Sequence, residues 1–302
     1  MTIAALFPGQ GTQTPGMGGP WRGHSAWKIV ERAETVLGED LGKLLLDAPA
    51  AQLSQTRNSQ LAVLVTSLMA WEVVQDRVPA PVAFAGHSLG QVSALIASGA
   101  LEFDDGVRFA ASRAAATQAA ADRYPGRMAA LVGASIEQAE EACRAAPDAC
   151  WVANDNAPGQ VVVAGKPDGL DAALARAREL GVRRSLPLDV NGAFHTPLMR
   201  DATHELADVV ADVKFRAPAA PVVSNLDARA RADGDWRKAS AHHVSTSVRW
   251  RESLETLAAM RPTRFVEVGS STMLAGLAKR TTPDVPTVSV GTPEQLEQRG
   301  RP

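Results

Sequence analysis

The chain has 302 residues, 45% of them hydrophobic, and 31 Lys and Arg against 33 Asp and Glu give a formal charge of −2. That balance argues against a nucleic-acid binder or a polybasic membrane adaptor, and two cysteines, Cys143 and Cys150, exclude a disulfide framework and a four-thiolate zinc site. Ile3–Phe7 is too short for a signal core, and Leu61–Trp71 is about half the ~20 residues needed to cross a bilayer, so the expected compartment is the cytoplasm.

Short β-rich runs alternate with longer helical ones, as in a sheet covered by helices. Thr2–Phe7 is a predicted strand ended by Pro8 and Gly9. Ala26–Leu37 has Ile29, Val30, Ala33 and Leu37 at helical spacing, with Gly38 at its C-cap. A helix over Gln60–Arg77, a strand over Pro81–Ala85, a helix over Leu89–Ser98 and an Ala-rich helix over Asp104–Ala121 follow. Residues 127–188 read differently. Strand Arg127–Val132 leads to a helix that Ser135 and Gln138 open as a capping box and that runs to Ala146. Strands Cys150–Ala153 and Gln160–Ala164 flank a turn at Pro158 and Gly159, then come helix Asp168–Leu180 and strand Val182–Leu188. This βαββαβ order is that of a ferredoxin-like unit, so residues 127–188 are expected as a small subdomain inserted between core segments 1–126 and 189–302. The alternation resumes with Pro197–Val213, Pro221–Ser224, a helix over Ser247–Met260, then Arg264–Val268, Met273–Lys279 and Thr287–Val290. Gln295–Pro302 is a polar end expected to fray.

The segment Gly86-His87-Ser88-Leu89-Gly90 is a G-x-S-x-G between a predicted strand and a predicted helix. That context is a nucleophile elbow, a tight turn that projects the Ser88 hydroxyl into a cleft; the plainer reading is a glycine-bounded turn with an incidental serine. The helix beginning at the serine stabilises nearby negative charge, and Leu89 N–H is a natural oxyanion donor. Among six histidines, His195 lies in a strand-to-helix loop before Pro197, where sites of α/β sheets form. It reads equally as a base for Ser88 or as a helix-capping histidine. His87, next to the serine on a sharp turn, is expected to point away from it and to pack or hydrogen-bond. His242 and His243 form an isolated pair without a spaced carboxylate or thiol, and no metal site is assigned. The opening Phe7-Pro8-Gly9-Gln10-Gly11 does not continue as a dinucleotide fingerprint, because Thr14 stands at the last position. A second oxyanion donor from Gln10 N–H fits better.

Together these segments resemble the malonyl-CoA:acyl carrier protein transacylase family and the acyltransferase domains of fatty acid and polyketide synthases. The likeness runs in order through Phe7–Gly11, Gly86–Gly90, Arg113, Asn154–Gln160, Gly192-Ala193-Phe194-His195, Ser224-Asn225 and Glu267-Val268-Gly269. It implies an α/β hydrolase-like core with a parallel sheet and the inserted ferredoxin-like lobe. It also implies Ser88 as nucleophile, His195 as base, and Gln10 and Leu89 as the oxyanion hole. A backbone carbonyl would orient the imidazole, expected near Val248 or Arg249. Arg113 would clamp the free carboxylate of malonate with its planar fork, with Phe194, Asn156 and His87 completing the substrate site. Gln91, Thr117 and Ser270 depart from the residues common in the family; the first removes a charge near the site and the second could reshape the acyl pocket.

The resemblance implies ping-pong transfer of malonyl from coenzyme A to the phosphopantetheine thiol of a carrier protein, without a bound cofactor; a monomer is the default expectation. Arg176, Arg178, Arg183 and Arg184 are candidates to dock an acidic carrier, although they read equally as a solvated face. Two alternatives remain. One is a transferase or hydrolase for another acyl group on a carrier in polyketide biosynthesis. The other is an esterase or thioesterase with a late histidine such as His243 as base.

Overall fold

The run Ile3-Ala4-Ala5-Leu6-Phe7 is buried throughout, as a strand covered on both faces must be. It forms β1 (Ile3–Phe7) in a mixed α/β fold, seen in a computed structural model that describes residues 2–298. In chain order the further strands are β2 (Pro81–Gly86), β3 (Arg127–Val132), β4 (Cys150–Ala157), β5 (Gln160–Gly165) and β6 (Arg184–Pro187). They are followed by β7 (Val222–Val223), β8 (Ala230–Arg231), β9 (Val248–Arg249), β10 (Arg264–Val268) and β11 (Thr287–Val290). One sheet has the order β11-β10-β1-β2-β7-β8 and is parallel except for the β7–β8 pair. The other has the order β6-β3-β5-β4-β9, antiparallel through its first four strands.

Alternation along β1 assigns its two faces. Ile3, Ala5 and Phe7 pack with the apolar helices Thr56–Val74 and Phe103–Arg123 in the largest core cluster. Ala4 and Leu6 face Trp250, Leu254, Leu257, Leu274 and Leu277 on the opposite side. β3 and β5 repeat the rule. Leu131, Val161 and Val163 pack under helices Ile136–Cys143 and Pro167–Glu179, while Met128, Ala130 and Val162 point the other way, toward Ala193 and Phe194.

The predicted βαββαβ order is present, and both partners of the Ser135–Gln138 capping box are made. Several boundaries differ. β4 continues to Ala157 instead of ending at Ala153, because Asn154 and Asp155 gain partners on β9. The expected helix Ser247–Met260 therefore opens as strand β9 and turns helical only over Trp250–Ala259. Helices Leu41–Asp47, Ala50–Leu53 and Arg237–His242 were not foreseen; each is too short for a helical period to stand out. The polar end is helical over Pro293–Gln298, and residues 299–302, where fraying was also expected, lie outside the described residues.

Because β10, β1, β2 and β7 are parallel neighbours, their carboxyl ends lie along one edge, where ligands of such sheets bind. Glu267 at the end of β10 braces that edge. Fully buried, its carboxylate accepts from the Leu274 and Ala275 N–H groups at 3.1 and 2.9 Å and from Ser289 Oγ at 3.0 Å. Glu267→Ala strands these donors, and chemical denaturation should show a loss of about 2–4 kcal/mol; an unchanged midpoint would exclude the brace.

Candidate active site

The elbow starts from glycines that nothing larger can replace. A Cβ on Gly86 would lie 1.8 Å from the Gly90 carbonyl oxygen, and one on Gly90 would lie 2.1 Å from that of Phe7. The turn between them holds Ser88 in the left-handed region at φ 52°, a conformation costing about 1–3 kcal/mol that the surroundings must impose. Asn225, just after β7, imposes it. Its Oδ1 accepts the Ser88 N–H at 2.7 Å and its Nδ2 donates to Gly86 O at 2.8 Å. Gln91 in turn accepts the Asn225 N–H through Oε1 at 2.7 Å, a task an amide oxygen performs without the charge of a glutamate.

Ser88 and His195 meet across 107 positions, with Oγ 2.7 Å from Nε2. His195 also has a positive φ, 61°, and its Nδ1 lies 2.9 Å from the carbonyl oxygen of His243. A carbonyl can only accept, so Nδ1 carries the hydrogen and Nε2 turns its lone pair to the serine hydroxyl. The orienting carbonyl thus belongs to His243, not to Val248 or Arg249. Those two residues form β9 against β4, whereas the turn His243–Ser245 packs on the His195 loop, where Val244 O accepts the His195 N–H at 2.9 Å. His242 and His243 therefore do not act as a pair: His242 is exposed and His243 is buried.

Arg113 is the other reaching side chain. It stands on the helix Phe103–Arg123, is 3% exposed, and has no ion-pair partner among the described residues. Its Nη1 donates to Gln60 Oε1 at 2.5 Å, its Nη2 donates to Ser88 Oγ at 3.0 Å and lies 3.3 Å from His243 Nε2, and its Nε is without a partner. Burial draws its pKa down to about 10, so it remains a cation at neutral pH. Burial, followed by the Arg113 charge, draws His195 down to about 3, and the same two causes hold His243 well below its ordinary value. His87 is also lowered by burial. Its Nε2 lies 2.8 Å from Asn156 Oδ1 and its ring packs edge-on against Trp250, the packing and hydrogen-bonding expected of it.

These groups line one cavity of about 420 Å³. Ser88, His87 and Gln10 wall it from turns at the edge of the first sheet, Arg113 from helix Phe103–Arg123, Asn154, Asn156 and Val162 from the second sheet, and Phe194 and His195 from the loop between. Leu89 is buried at the N-cap of helix Gly90–Ala97, where N–H groups have no partner within the helix. Thr117, one turn after Arg113 on the same helix, also lines the cavity, its hydroxyl turned to the Arg113 carbonyl at 2.8 Å. No group of three or more His, Cys, Asp or Glu residues among the described residues could hold a metal, and none of their helices is long and apolar enough to cross a membrane. Sequence reasoning missed Gln60 and the contact of the His243 ring with Arg113, having weighed that ring only as the base of the esterase alternative. The helix begins at Thr56, and the signal for Gln60 was a polar residue at the edge of the apolar run that starts at Leu61.

The chain is matched over residues 5–295 by the acyl transferase domain family. The malonyl CoA-acyl carrier protein transacylase of Escherichia coli (strain K12) is 37% identical over 286 residues, with 92% of each chain covered. The crystal structure of acyl-carrier-protein S-malonyltransferase from Burkholderia pseudomallei 1710b is similar with a TM-score of 0.94 at 34% identity, over 99% of both chains. A malonyl-transacylase solved in complex with its type II PKS acyl-carrier protein has a TM-score of 0.95 at 31% identity, again over 99% of both chains.

Three buried neutral imidazoles make folding sensitive to acid. Below about pH 6.5 the unfolded chain protonates His87, His195 and His243 while the folded chain does not, so stability falls with pH by about 1.4 kcal/mol per unit for each group until its folded pKa is reached. Unfolding midpoints measured at pH 7 and pH 5 should drop steeply, and less for His243→Gln, which removes one such group. Equal drops in both proteins would contradict the neutral burial of His243.

Proposed function

The chain belongs to the acyl transferase family and is an acyltransferase, and on that premise we propose that it moves a malonyl group from coenzyme A to the phosphopantetheine thiol of an acyl carrier protein. The observation that carries this reading is a buried Arg113 cation beside the Ser88–His195 pair, with no carboxylate of the described residues upon it. A guanidinium so placed offers a planar fork to a free carboxylate on the acyl group. An acetyl group would leave that fork desolvated and unanswered, which is the source of discrimination.

In the first half-reaction His195 Nε2 takes the Ser88 hydroxyl proton as Oγ bonds to the thioester carbon. The Gln10 and Leu89 N–H groups receive the developing oxyanion. Collapse breaks the carbon–sulfur bond, and the leaving thiolate of coenzyme A recovers the proton from His195. In the second half the carrier thiol gives its proton to His195 and attacks the seryl ester, and Ser88 leaves with the proton restored. Thioester and thiol appear on both sides, so the site's task is to keep water from the ester. No cofactor is required; coenzyme A enters as substrate. Phe194 narrows the acyl pocket, and Asn156 holds His87 at its wall.

The same reading takes residues 1–126 and 189–302 as a hydrolase-like core and 127–188 as a ferredoxin-like lobe, in a cytoplasmic monomer. Arg178, Arg183 and Arg184 are exposed on that lobe and suit an acidic carrier, whereas Arg176 is engaged by Glu141 and Glu179. The structure complexed with a carrier protein supports a partner of that kind. An esterase with His243 as base is less consistent with a His243 ring turned to Arg113.

Incubated with malonyl-CoA, the wild-type protein should gain one malonyl mass, and Ser88→Ala should gain none, with transfer reduced by about 10⁴-fold or more. An adduct on Ser88→Ala would remove the nucleophile assignment. Arg113→Ala should lose malonyl loading by about 100-fold while keeping or gaining acetyl loading, measured by competition between the two thioesters. An unchanged ratio would reject the carboxylate clamp.

A further inference from the structure

Arg113 donates and never accepts, so any atom facing its N–H groups at hydrogen-bond distance must offer a lone pair. His243 Nε2 lies 3.3 Å from Arg113 Nη2 inside a residue that is 1% exposed. Its other nitrogen, Nδ1, faces the Ser240 carbonyl oxygen at 3.4 Å. Both neighbours demand one tautomer, hydrogen on Nδ1 and a lone pair on Nε2. Gln60 Oε1 holds the opposite amino group of the same guanidinium. The fork is thus gripped by a neutral acceptor at each amino nitrogen, and the grip sets which edge is offered to the cavity.

We propose that the imidazole of His243 is a positioning residue for acyl-group specificity: it fixes the plane of Arg113 so that the guanidinium meets a carboxylate on the acyl group with two parallel N–H bonds. This rests on the reading of Arg113 as a carboxylate clamp and assigns the ring a task separate from that of its backbone. The His243 carbonyl orients His195 at 2.9 Å, and every substitution at this position retains that carbonyl. The ring, whose centroid lies 5.7 Å from that of His195, turns its Nε2 lone pair to Arg113. A second cation could not take its place, because a protonated imidazole would turn an N–H and a like charge toward the guanidinium. A carboxylate could not either, since it would pair with Arg113 and compete with the substrate.

The division of labour predicts a split between the two acyl groups. His243→Met fills a similar volume without a comparable acceptor. It should raise KM for malonyl-CoA by about 10-fold and shift the malonyl-to-acetyl ratio toward acetyl, because a hydrogen bond to a charged donor is lost. His243→Gln restores an acceptor oxygen and should return KM to within about 3-fold of wild type. His243→Ala provides the same comparison if the methionine variant fails to fold, as judged by its unfolding midpoint. Equal loss of malonyl and acetyl turnover in His243→Met would overturn the proposal by placing the ring's effect on His195. So would methionine and glutamine variants that behave alike. Arg113→Ala assayed in parallel separates the two ideas. If it loses malonyl preference while His243→Met keeps it, the clamp stands and the positioning role falls; if Arg113→Ala keeps the preference, the clamp itself falls and takes the positioning role with it.

Discussion

Taking a guanidinium out of water costs several kcal/mol unless its donors find acceptors, and the Arg113 head group is answered by an amide oxygen, a hydroxyl and an imidazole nitrogen, all neutral. That choice governs the chemistry around it. A carboxylate in the same shell would settle the charge permanently and close the position to an anionic substrate. Neutral acceptors keep the cation folded in while leaving its charge uncompensated. The same cation helps hold His195 and His243 in their unprotonated forms. Burial first, and this one charge after it, hold both imidazoles neutral.

The means of orienting His195 follows from this constraint. Serine hydrolases commonly steady the imidazole with an acidic side chain. Here a main-chain carbonyl does so, and it fixes the tautomer without bringing a negative charge near Arg113. Both members of the pair sit at positive φ, Ser88 at 52° and His195 at 61°. Such backbone is tolerable only where the framework over-determines it. For Ser88 the framework is the chain from Gln91 to Asn225 to the elbow; for His195 it is the paired contacts with His243 and Val244.

The two sheets contribute differently. The parallel sheet places the elbow of Ser88 and the glycine turn of Gln10 at its strand ends. The antiparallel one supplies a wall through Asn154 and Asn156, carried on an extended β4 that β9 anchors from a distant part of the chain. The cavity between them therefore combines a floor carrying the Ser88–His195 pair with a separately braced wall.

What the sequence by itself determined was local. The strand–turn–helix around Ser88, the capping box at Ser135, the C-cap at Gly38 and the βαββαβ order each depend on periodicity or backbone preference within a few residues. The fate of His243, the two-residue strand at Val248 and Arg249, and the neutral shell around Arg113 were decided by tertiary structure. They rest on contacts between positions as far as 130 apart, and two strand residues have no period of their own to declare them. A side chain's type shows what bonds it can make; only the packed chain selects which partner stands within 3 Å of it.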